Sequence, residues 1–260
     1  KIHYCWFGRK PLPDDAVRYI RSWRDCCPGY EIKEWNEDNF PIDSFPYARE
    51  AYDAGKYAFV SDVARLYALA TEGGVYFDTD VEVLKSFDPL LDHVAFTGFE
   101  DAGHITTGVI GSEAGGRFVS ECLDAYRTRR FVKSDGAFDT TTNVAVITAY
   151  MAGKGLRFDD SFQDFSGLVA VYPREYFCPR DSYAYARGIA HLTSNTYAIH
   201  YFAGTWQIRN TPEYKRLRRK YKVIPYFIRK KLILALMGEK RTGFFAGVLR
   251  LFGHPSQRLQ

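Results

Sequence analysis

Residues 61–84 read SDVARLYALATEGGVYFDTDVEVL, and this stretch decides the fold. Apolar residues recur here with the period of an α-helix from Lys56 to Glu72, at Phe59, Val63, Leu66, Tyr67 and Ala70. Gly73-Gly74 is typical of a helix C-terminus. The following residues, 75–84, are β-formers on both sides of a charged centre and predict a strand. The sequence therefore predicts a helix that passes through a glycine turn directly into a strand.

Two carboxylates, Asp78 and Asp80, stand at the centre of that predicted strand. Side chains at i and i+2 of a strand point the same way, so the two like charges repel each other unless a cation lies between them. A hard divalent ion is the natural partner, and it keeps open positions for diphosphate oxygens. A lone D-x-D pattern is also typical of a polar turn at a strand end, and that interpretation stays open.

The preceding helix carries a second charged pair, Asp62 and Arg65, one turn apart on the edge of the apolar stripe. One interpretation is an i,i+3 ion pair within the helix, worth a few tenths of a kcal/mol, roughly. The other is that both side chains reach the strand end that carries Asp78 and Asp80. The short Gly-Gly connection favours the second interpretation.

Strands and helices alternate along the rest of the chain. IHYCWFG at 2–8 and YEIKEW at 30–35 predict strands, and Asp14 begins a predicted helix that extends to about Cys26. Further strands are predicted at 93–100, 104–112, 168–173 and 196–204, and helices at 116–130 and 142–152. This order is that of an α/β sheet with helices packed against it.

One longer string, SDVARLYALATEGGVYFDTDVEVLKSFDPLL at 61–91, resembles glycosyltransferase family 32, the DXD-containing sugar transferases. The opening IHYCWFG, YEIKEWNEDNF at 30–40 and YAIHYFAGTW at 197–206 extend the resemblance over roughly residues 1–206. This family includes enzymes of capsule and exopolysaccharide synthesis and yeast-type initiating mannosyltransferases. The resemblance implies a GT-A type, Rossmann-like mixed sheet flanked by helices, with a catalytic domain at 1–210.

The resemblance also implies a role for each matching residue. Asp78 and Asp80 would bind Mn²⁺ or Mg²⁺, and His200 would complete the metal and diphosphate site. Asp78 would in addition bind the donor ribose, and Asp62 with Arg65 would hold the donor sugar. The remaining implied contacts to the donor are aromatic: Trp6 at the base, Tyr76 on the same wall and Trp206 near the phosphates.

The acceptor side departs from the family, because this chain reads DTTTNVAVIT at 139–148 where many relatives have a Thr-Gly-Pro segment. Asn143 remains the candidate for the reaction centre there. Neither a His/Asp pair nor a Glu pair presents itself as a general base, which fits transfer with retention of anomeric configuration, the outcome that the resemblance implies.

Three classes of function are compatible with a D-x-D pair. The first is a retaining hexosyltransferase that uses a UDP- or GDP-sugar and a glycan or lipid-linked saccharide acceptor in polysaccharide synthesis. The second is a magnesium-dependent phosphohydrolase, which prefers a small hydroxyl or β-branched residue where this chain has Glu82. The third is a non-catalytic sugar-nucleotide-binding component of a polysaccharide complex. The combined motif favours the first class.

The C-terminal part differs in charge from everything before it. Residues 207–260 contain 14 basic and 2 acidic residues, a net charge of +12, whereas residues 1–206 carry 21 basic and 29 acidic, a net charge of −8. Lys/Arg clusters alternating with Ile, Leu and Phe predict a basic amphipathic helical appendage at 211–260 that docks on an anionic membrane surface. A solvated helical hairpin is the alternative, and no motif for reading nucleic acid accompanies the charge.

Cysteine usage bears on the compartment. Five cysteines, an odd number without a CxxC pair, predict a reduced protein. Together with the basic appendage, this predicts a cytoplasmic protein at the inner face of the membrane.

Overall fold

The computed structural model describes residues 1–179, 191–204, 212–221, 232 and 233. Contacts along the chain define two units, Lys1–Ala203 and Gly204–Gln260. The predicted boundary at residue 210 stays a prediction. In the second unit, α-helix α6 spans Pro212–Lys220, with exposed Lys and Arg side chains and a buried Leu217. Most of the predicted appendage lies outside the described residues. Within the described ranges, no helix combines the length and hydropathy needed to cross a membrane.

The first unit is built on a mixed sheet of eight strands. They are β1 Ile2–Cys5, β2 Ile32–Trp35, β3 Gly74–Phe77, β5 Ala95–Asp101, β6 His104–Ile105, β7 Val109–Ser112, β8 Gln163–Phe165 and β9 Val169–Tyr172. The order is β2-β1-β3-β7-β5-β9-β8, with β6 paired to β5. β1 runs parallel to β2 and β3, and β7 runs antiparallel to β3 and β5. A small second sheet pairs β4, Val81–Val83, antiparallel to β10, Ala198–His200.

Helices cover both faces of the main sheet because successive strand residues point to opposite sides. In β3, Tyr76 belongs to a buried cluster with residues of α3 (Tyr57–Glu72), whereas Val75 and Phe77 belong to another with residues of α1 (Asp14–Cys26). The first cluster also includes residues of α2 (Pro46–Asp53), α4 (Arg117–Asp124) and α5 (Asn143–Gly153). The mixed sheet flanked by helices that the resemblance implied is confirmed.

The helix predicted to end at Gly73 is also confirmed. Gly73 has φ +64° and caps α3, and a Cβ there would lie 2.6 Å from the backbone nitrogen of Ala114. Only glycine meets both the conformation and the close approach. The buried face of α3 includes the predicted Phe59, Val63 and Leu66.

Several predicted boundaries are wrong. The continuous strand at 75–84 is divided into β3 and β4, which belong to different sheets, with the D-x-D pair in the turn between them. The strand at 104–112 is divided into β6 and β7, and the helix at 116–130 ends at Asp124. Thr106 and Thr107 lie between β6 and β7, where their carbonyls accept hydrogen bonds from the side chains of Thr97 and Arg65.

Candidate active site

The site is organised by the turn that connects the two sheets. β3 ends at Phe77, and the backbone N–H of Asp78 donates to the carbonyl of Gly108 at 2.9 Å. The N–H of Val81 then donates back to the carbonyl of Asp78 at 3.0 Å, which closes the turn. The polar turn that the sequence left open is therefore real. It does not replace the cation interpretation, because it is this turn that brings Asp78 and Asp80 to one place.

One carboxylate oxygen of Asp78 contacts two side chains of the protein. Its Oδ1 lies 3.3 Å from Arg65 Nη2 and accepts a hydrogen bond from the Tyr76 hydroxyl at 2.9 Å. Arg65 Nη2 also lies 3.2 Å from Asp62 Oδ1, and its Nη1 donates to the Thr107 carbonyl at 2.6 Å. Arg65 thus reaches the strand end, as predicted, whereas Asp62 contacts Arg65 in the i,i+3 ion pair that was the alternative interpretation. Burial disfavours the charged guanidinium, but the neighbouring carboxylates raise the pKa of Arg65 well above its ordinary value.

Asp80 is held in a different way. Its Oδ2 accepts the backbone N–H of Ala203 at 2.6 Å, and its Oδ1 lies 3.3 Å from His200 Nε2. His200 is 7% exposed and lies in β10, which pairs with β4 directly after the turn. Burial opposes both charges, yet the pair raises the pKa of His200 and lowers that of Asp80. The charge of the His200 ring therefore depends on the neighbouring carboxylate of Asp80.

The three side chains leave one ligand atom each facing a common centre. Asp78 Oδ2 lies 3.9 Å from His200 Nε2, and these atoms with a carboxylate oxygen of Asp80 are all within 4.8 Å of one another. The wall beside them is Gly108, where an added Cβ would lie 2.8 Å from His200 Cε1 and 3.2 Å from Asp78 Oδ2. Two carboxylates and an imidazole suit Mn²⁺ or Mg²⁺ in their donor chemistry. The residues predicted to bind the cation therefore fit it.

Asn143 joins the same region at the first turn of α5. Its backbone N–H donates to Asp62 Oδ2 at 3.1 Å, and its Nδ2 donates to the Asp62 carbonyl at 2.6 Å. Asn143 is 1% exposed, and its Oδ1 has no hydrogen-bond partner among the described residues. Burial raises the pKa of Asp62 to about 6, against the opposing effects of Arg65 and of the Asn143 N–H. The acceptor-side candidate is thus tied directly to the predicted donor-sugar residues.

Of the three predicted aromatic contacts to the donor, the structure describes two, Trp6 and Tyr76. Trp6 directly follows β1, which is parallel to β3, so Trp6 and Asp78 lie at carboxyl ends of neighbouring strands. Trp6 is half-buried, and its Nε1 donates to the carbonyl of Lys10 at 2.5 Å. Tyr76 is buried, with the Arg65 guanidinium 4.8 Å from its ring centroid. Trp206 lies outside the described residues. Base, ribose and phosphate roles stay predictions.

Three residues that border the site were not predicted from the sequence. Gly108 borders the cation centre, Thr107 binds Arg65, and Cys178 Sγ lies 4.0 Å from His200 Nδ1. A signal existed for Gly108, because a glycine within an apolar strand pattern often marks a close approach of other atoms. Thr107 and Cys178 carry no such signal, since their roles depend on contacts between distant segments.

The sequence comparisons bear on the first part of the chain. Residues 13–97 match the family described as glycosyltransferase sugar-binding region containing DXD motif. Inositol phosphoceramide mannosyltransferase 3 of Schizosaccharomyces pombe is 30% identical over 126 residues, which are 47% of this chain and 35% of that protein. Subversion of eukaryotic traffic protein A of Legionella pneumophila is 28% identical over a stretch covering 31% of this chain and 17% of that protein.

The chain thus spans about a third or less of the length of these curated relatives. Among solved structures, the PaToxG glycosyltransferase is similar with a TM-score of 0.44 and 18% identity, over 59% of this chain and 68% of that one. The matched residues 13–97 include Asp62, Arg65, Asp78 and Asp80, the residues on which the predicted resemblance rests. This region of the chain is therefore similar to the DXD-containing sugar-binding region of glycosyltransferases, in line with the family 32 resemblance.

Proposed function

We propose that this protein transfers a hexose from a UDP- or GDP-sugar to a glycan or lipid-linked saccharide in polysaccharide synthesis, with retention of anomeric configuration. The observation that supports this most directly is the arrangement of Asp78 and Asp80. Each carboxylate has one oxygen held by protein donors and the other directed toward His200. This arrangement prepares two oxygens and one imidazole nitrogen for a shared cation.

Asp78, Asp80 and His200 would hold Mn²⁺ or Mg²⁺, which when bound neutralises charge on a departing nucleoside diphosphate. The chain's own contribution is orientation. Arg65 and Tyr76 fix Asp78 Oδ1, and the Ala203 N–H fixes Asp80 Oδ2, so neither carboxylate has to reorganise on binding. Asp62 would bind hydroxyls of the donor sugar beside Arg65. Asn143, linked to Asp62 by two hydrogen bonds, would lie at the reaction centre on the acceptor side.

A thermal-shift comparison tests the donor class. UDP, GDP and their sugars are added with and without Mn²⁺ or Mg²⁺ to the wild-type protein. One nucleotide class is expected to raise Tm by about 5–10 °C at a hundredfold excess over Kd, and only with the cation. Asp80→Asn and His200→Ala should lose that shift, whereas Asp164→Asn, an exposed acid on the edge strand β8, should keep it. A shift that survives Asp80→Asn would contradict the metal assignment.

Product analysis separates transfer from the other two classes. A transferase releases nucleoside diphosphate and forms a glycoside, a phosphohydrolase releases inorganic phosphate, and a binding component releases neither. Glu82 accepts a hydrogen bond from the Tyr201 hydroxyl, next to the pairing of β4 with β10. This contact gives Glu82 a structural role, which does not match the small residue that a phosphohydrolase prefers at that position. We expect nucleoside diphosphate and a product whose anomeric NMR coupling matches that of the donor.

Peripheral attachment to an anionic membrane at its cytoplasmic face is the second part of the proposal. The support for it is the charge of the C-terminal segment and the exposed Lys215, Arg216, Arg219 and Lys220 on α6. Replacing these four residues by Gln should lower flotation with liposomes that contain phosphatidylserine, because each basic residue near such a surface contributes about 1 kcal/mol. Equal flotation of both proteins would remove this part and leave the enzymatic part intact.

A further inference from the structure

A third carboxylate, Glu100, lies near the carboxyl end of β5, two strands along the main sheet from β3, whose carboxyl end leads to Asp78. It is the penultimate residue of β5, whose preceding residues Phe96 and Gly98 face the ring of Phe177. The carbonyl of Phe177 in turn accepts the backbone N–H of His200 at 3.0 Å. Pairing of β5 with β6 is irregular between Phe99 and Asp101, with Glu100 between them. Bulges of this kind turn a side chain out of the regular ladder and are frequent next to active sites.

The Glu100 side chain is partly buried and has no partner for its carboxylate in the part of the chain that the structure describes. Burial raises the pKa of Glu100, while the charge of His200 lowers it. Among the described residues, no hydrogen bond or ion pair reaches its carboxylate. The adjacent Asp101 differs, because its Oδ1 accepts from Gly103 N and bonds His104 Nδ1. A partly desolvated carboxylate without donors favours a ligand that supplies them.

Strand order indicates which ligand Glu100 faces. The donor residues Trp6 and Asp78 follow β1 and β3, and the order continues through β7 to β5. Neighbouring strands are about 4.8 Å apart, so the end of β5 lies about 10 Å beyond Asp78 and about 15 Å beyond Trp6. A nucleotide that extends from Trp6 to the cation centre would therefore leave Glu100 on the far side, where the incoming saccharide has to lie.

We propose that Glu100 accepts a hydrogen bond from a hydroxyl of the acceptor saccharide and so positions that sugar next to the cation centre. The inference rests on the proposed transferase function and assigns a residue to its acceptor side. An ionised carboxylate is a suitable acceptor for a sugar hydroxyl, because charge-assisted hydrogen bonds are about twice as strong as neutral ones.

The test compares wild-type protein, Glu100→Ala, Glu100→Gln and the control Asp164→Asn, each with the donor that stabilises the wild type. Two rates are measured: hydrolysis of the donor by water alone, and transfer to an equimolar mixture of the methyl glycosides of glucose, galactose and mannose. Glu100→Ala should lower kcat/KM for the glycosides about 10- to 100-fold, and Glu100→Gln less, because the amide oxygen still accepts a hydrogen bond. Donor hydrolysis and cation-dependent nucleotide binding should change by less than about twofold.

Saturation-transfer NMR of the same glycosides with the nucleotide-loaded protein gives a second readout, which should weaken in Glu100→Ala. Equal losses of hydrolysis and transfer would place Glu100 on the donor and overturn the inference, as would unchanged transfer. A wild-type protein that hydrolyses donor but neither glycosylates nor binds the glycosides would overturn it too. A wild-type protein that neither hydrolyses nor transfers would instead overturn the proposed function itself.

Discussion

The two acids of the D-x-D turn are held by contrasting surroundings. Asp78 lies against Arg65 and Tyr76, partners contributed by the long helix α3 and by β3 of the main sheet. Asp80 lies against His200 and the Ala203 N–H, partners from the C-terminal end of the first unit that are joined to it through the small sheet. The Arg65 side carries a permanent positive charge, whereas the charge of the His200 side depends on protonation.

Asp78 and Asp80 are the same residue type two positions apart, but their different surroundings predict different contributions to stability and to binding. On the Arg65 side, a buried guanidinium already neutralises the acids, so this half of the site is part of the folded core. On the His200 side, a metal ion in the proposed site would take the place of the imidazole proton, so we expect this half to depend on ligand. Substitutions on the Arg65 side should mainly lower the free energy of unfolding, and substitutions on the His200 side should mainly lower ligand affinity.

The largest expected effect is that of Arg65→Leu. The substitution leaves Asp62 and Asp78 facing each other in the interior without a counter-charge, which costs about 3–5 kcal/mol of unfolding free energy. Urea denaturation measures the change. Arg65→Lys is the matched control and should recover part of the loss, since an ammonium keeps the charge but not the planar fork. A loss below about 1 kcal/mol would mean that Arg65 is not the centre of this half.

Gly108→Ala probes the His200 side without changing any charge. The added Cβ would lie 2.8 Å from the His200 ring, so ring and Asp78 Oδ2 would be displaced from their common centre. We expect cation affinity to fall at least about tenfold, with a stability change of about 1 kcal/mol. Titration with Mn²⁺ followed by calorimetry measures the affinity. Gly103→Ala, at a position where an added Cβ has room, provides the control. An undiminished affinity in Gly108→Ala would show that the cation does not use this corner.

Asp62→Asn tests the Arg65 side through pH. The folded pKa of Asp62, about 6, exceeds its unfolded value, so the native state binds more protons between the two. The stability that Asp62 contributes is therefore present below pH of about 4 and is lost as pH rises through about 6. Relative to wild type, Asp62→Asn should gain about 1–3 kcal/mol between pH 4 and pH 7.5. Denaturation at both pH values measures this, and a difference between the proteins that does not vary with pH would contradict it.

Tyr76→Phe is expected to have the smallest effect. It removes one hydrogen bond to Asp78 Oδ1 but keeps the ring beneath Arg65, for a cost of about 1 kcal/mol. Turnover should fall a few-fold, because the carboxylate is less firmly oriented. Tyr4→Phe removes a comparable hydrogen bond to Glu34 away from the site, so it should cost similar stability and leave turnover unchanged. If Tyr76→Phe and Tyr4→Phe have the same turnover, the Tyr76 hydroxyl has no role in the reaction.

Local signals were sufficient for much of this architecture. The period of α3, its end at Gly73 and the ion pair between Asp62 and Arg65 depend on neighbouring residues, and each of them is among the interpretations drawn from the sequence. The division of residues 75–84 was not predicted, because β4 is a strand only by pairing with β10, more than a hundred residues later. The same limit applies to Gly108 and Glu100, whose surroundings are assembled by strand order.

The small sheet formed by β4 and β10 has a consequence for how the site comes into being. The contact between Ala203 and Asp80 spans 123 positions of sequence, and three residue pairs join the strands behind it. Contacts of such separation form late, after shorter loops have closed. We therefore expect the main sheet and α3 to form before β10 pairs with β4, so that His200 completes the proposed cation site at a late stage of folding. Partial opening of this short ribbon would reverse that stage alone.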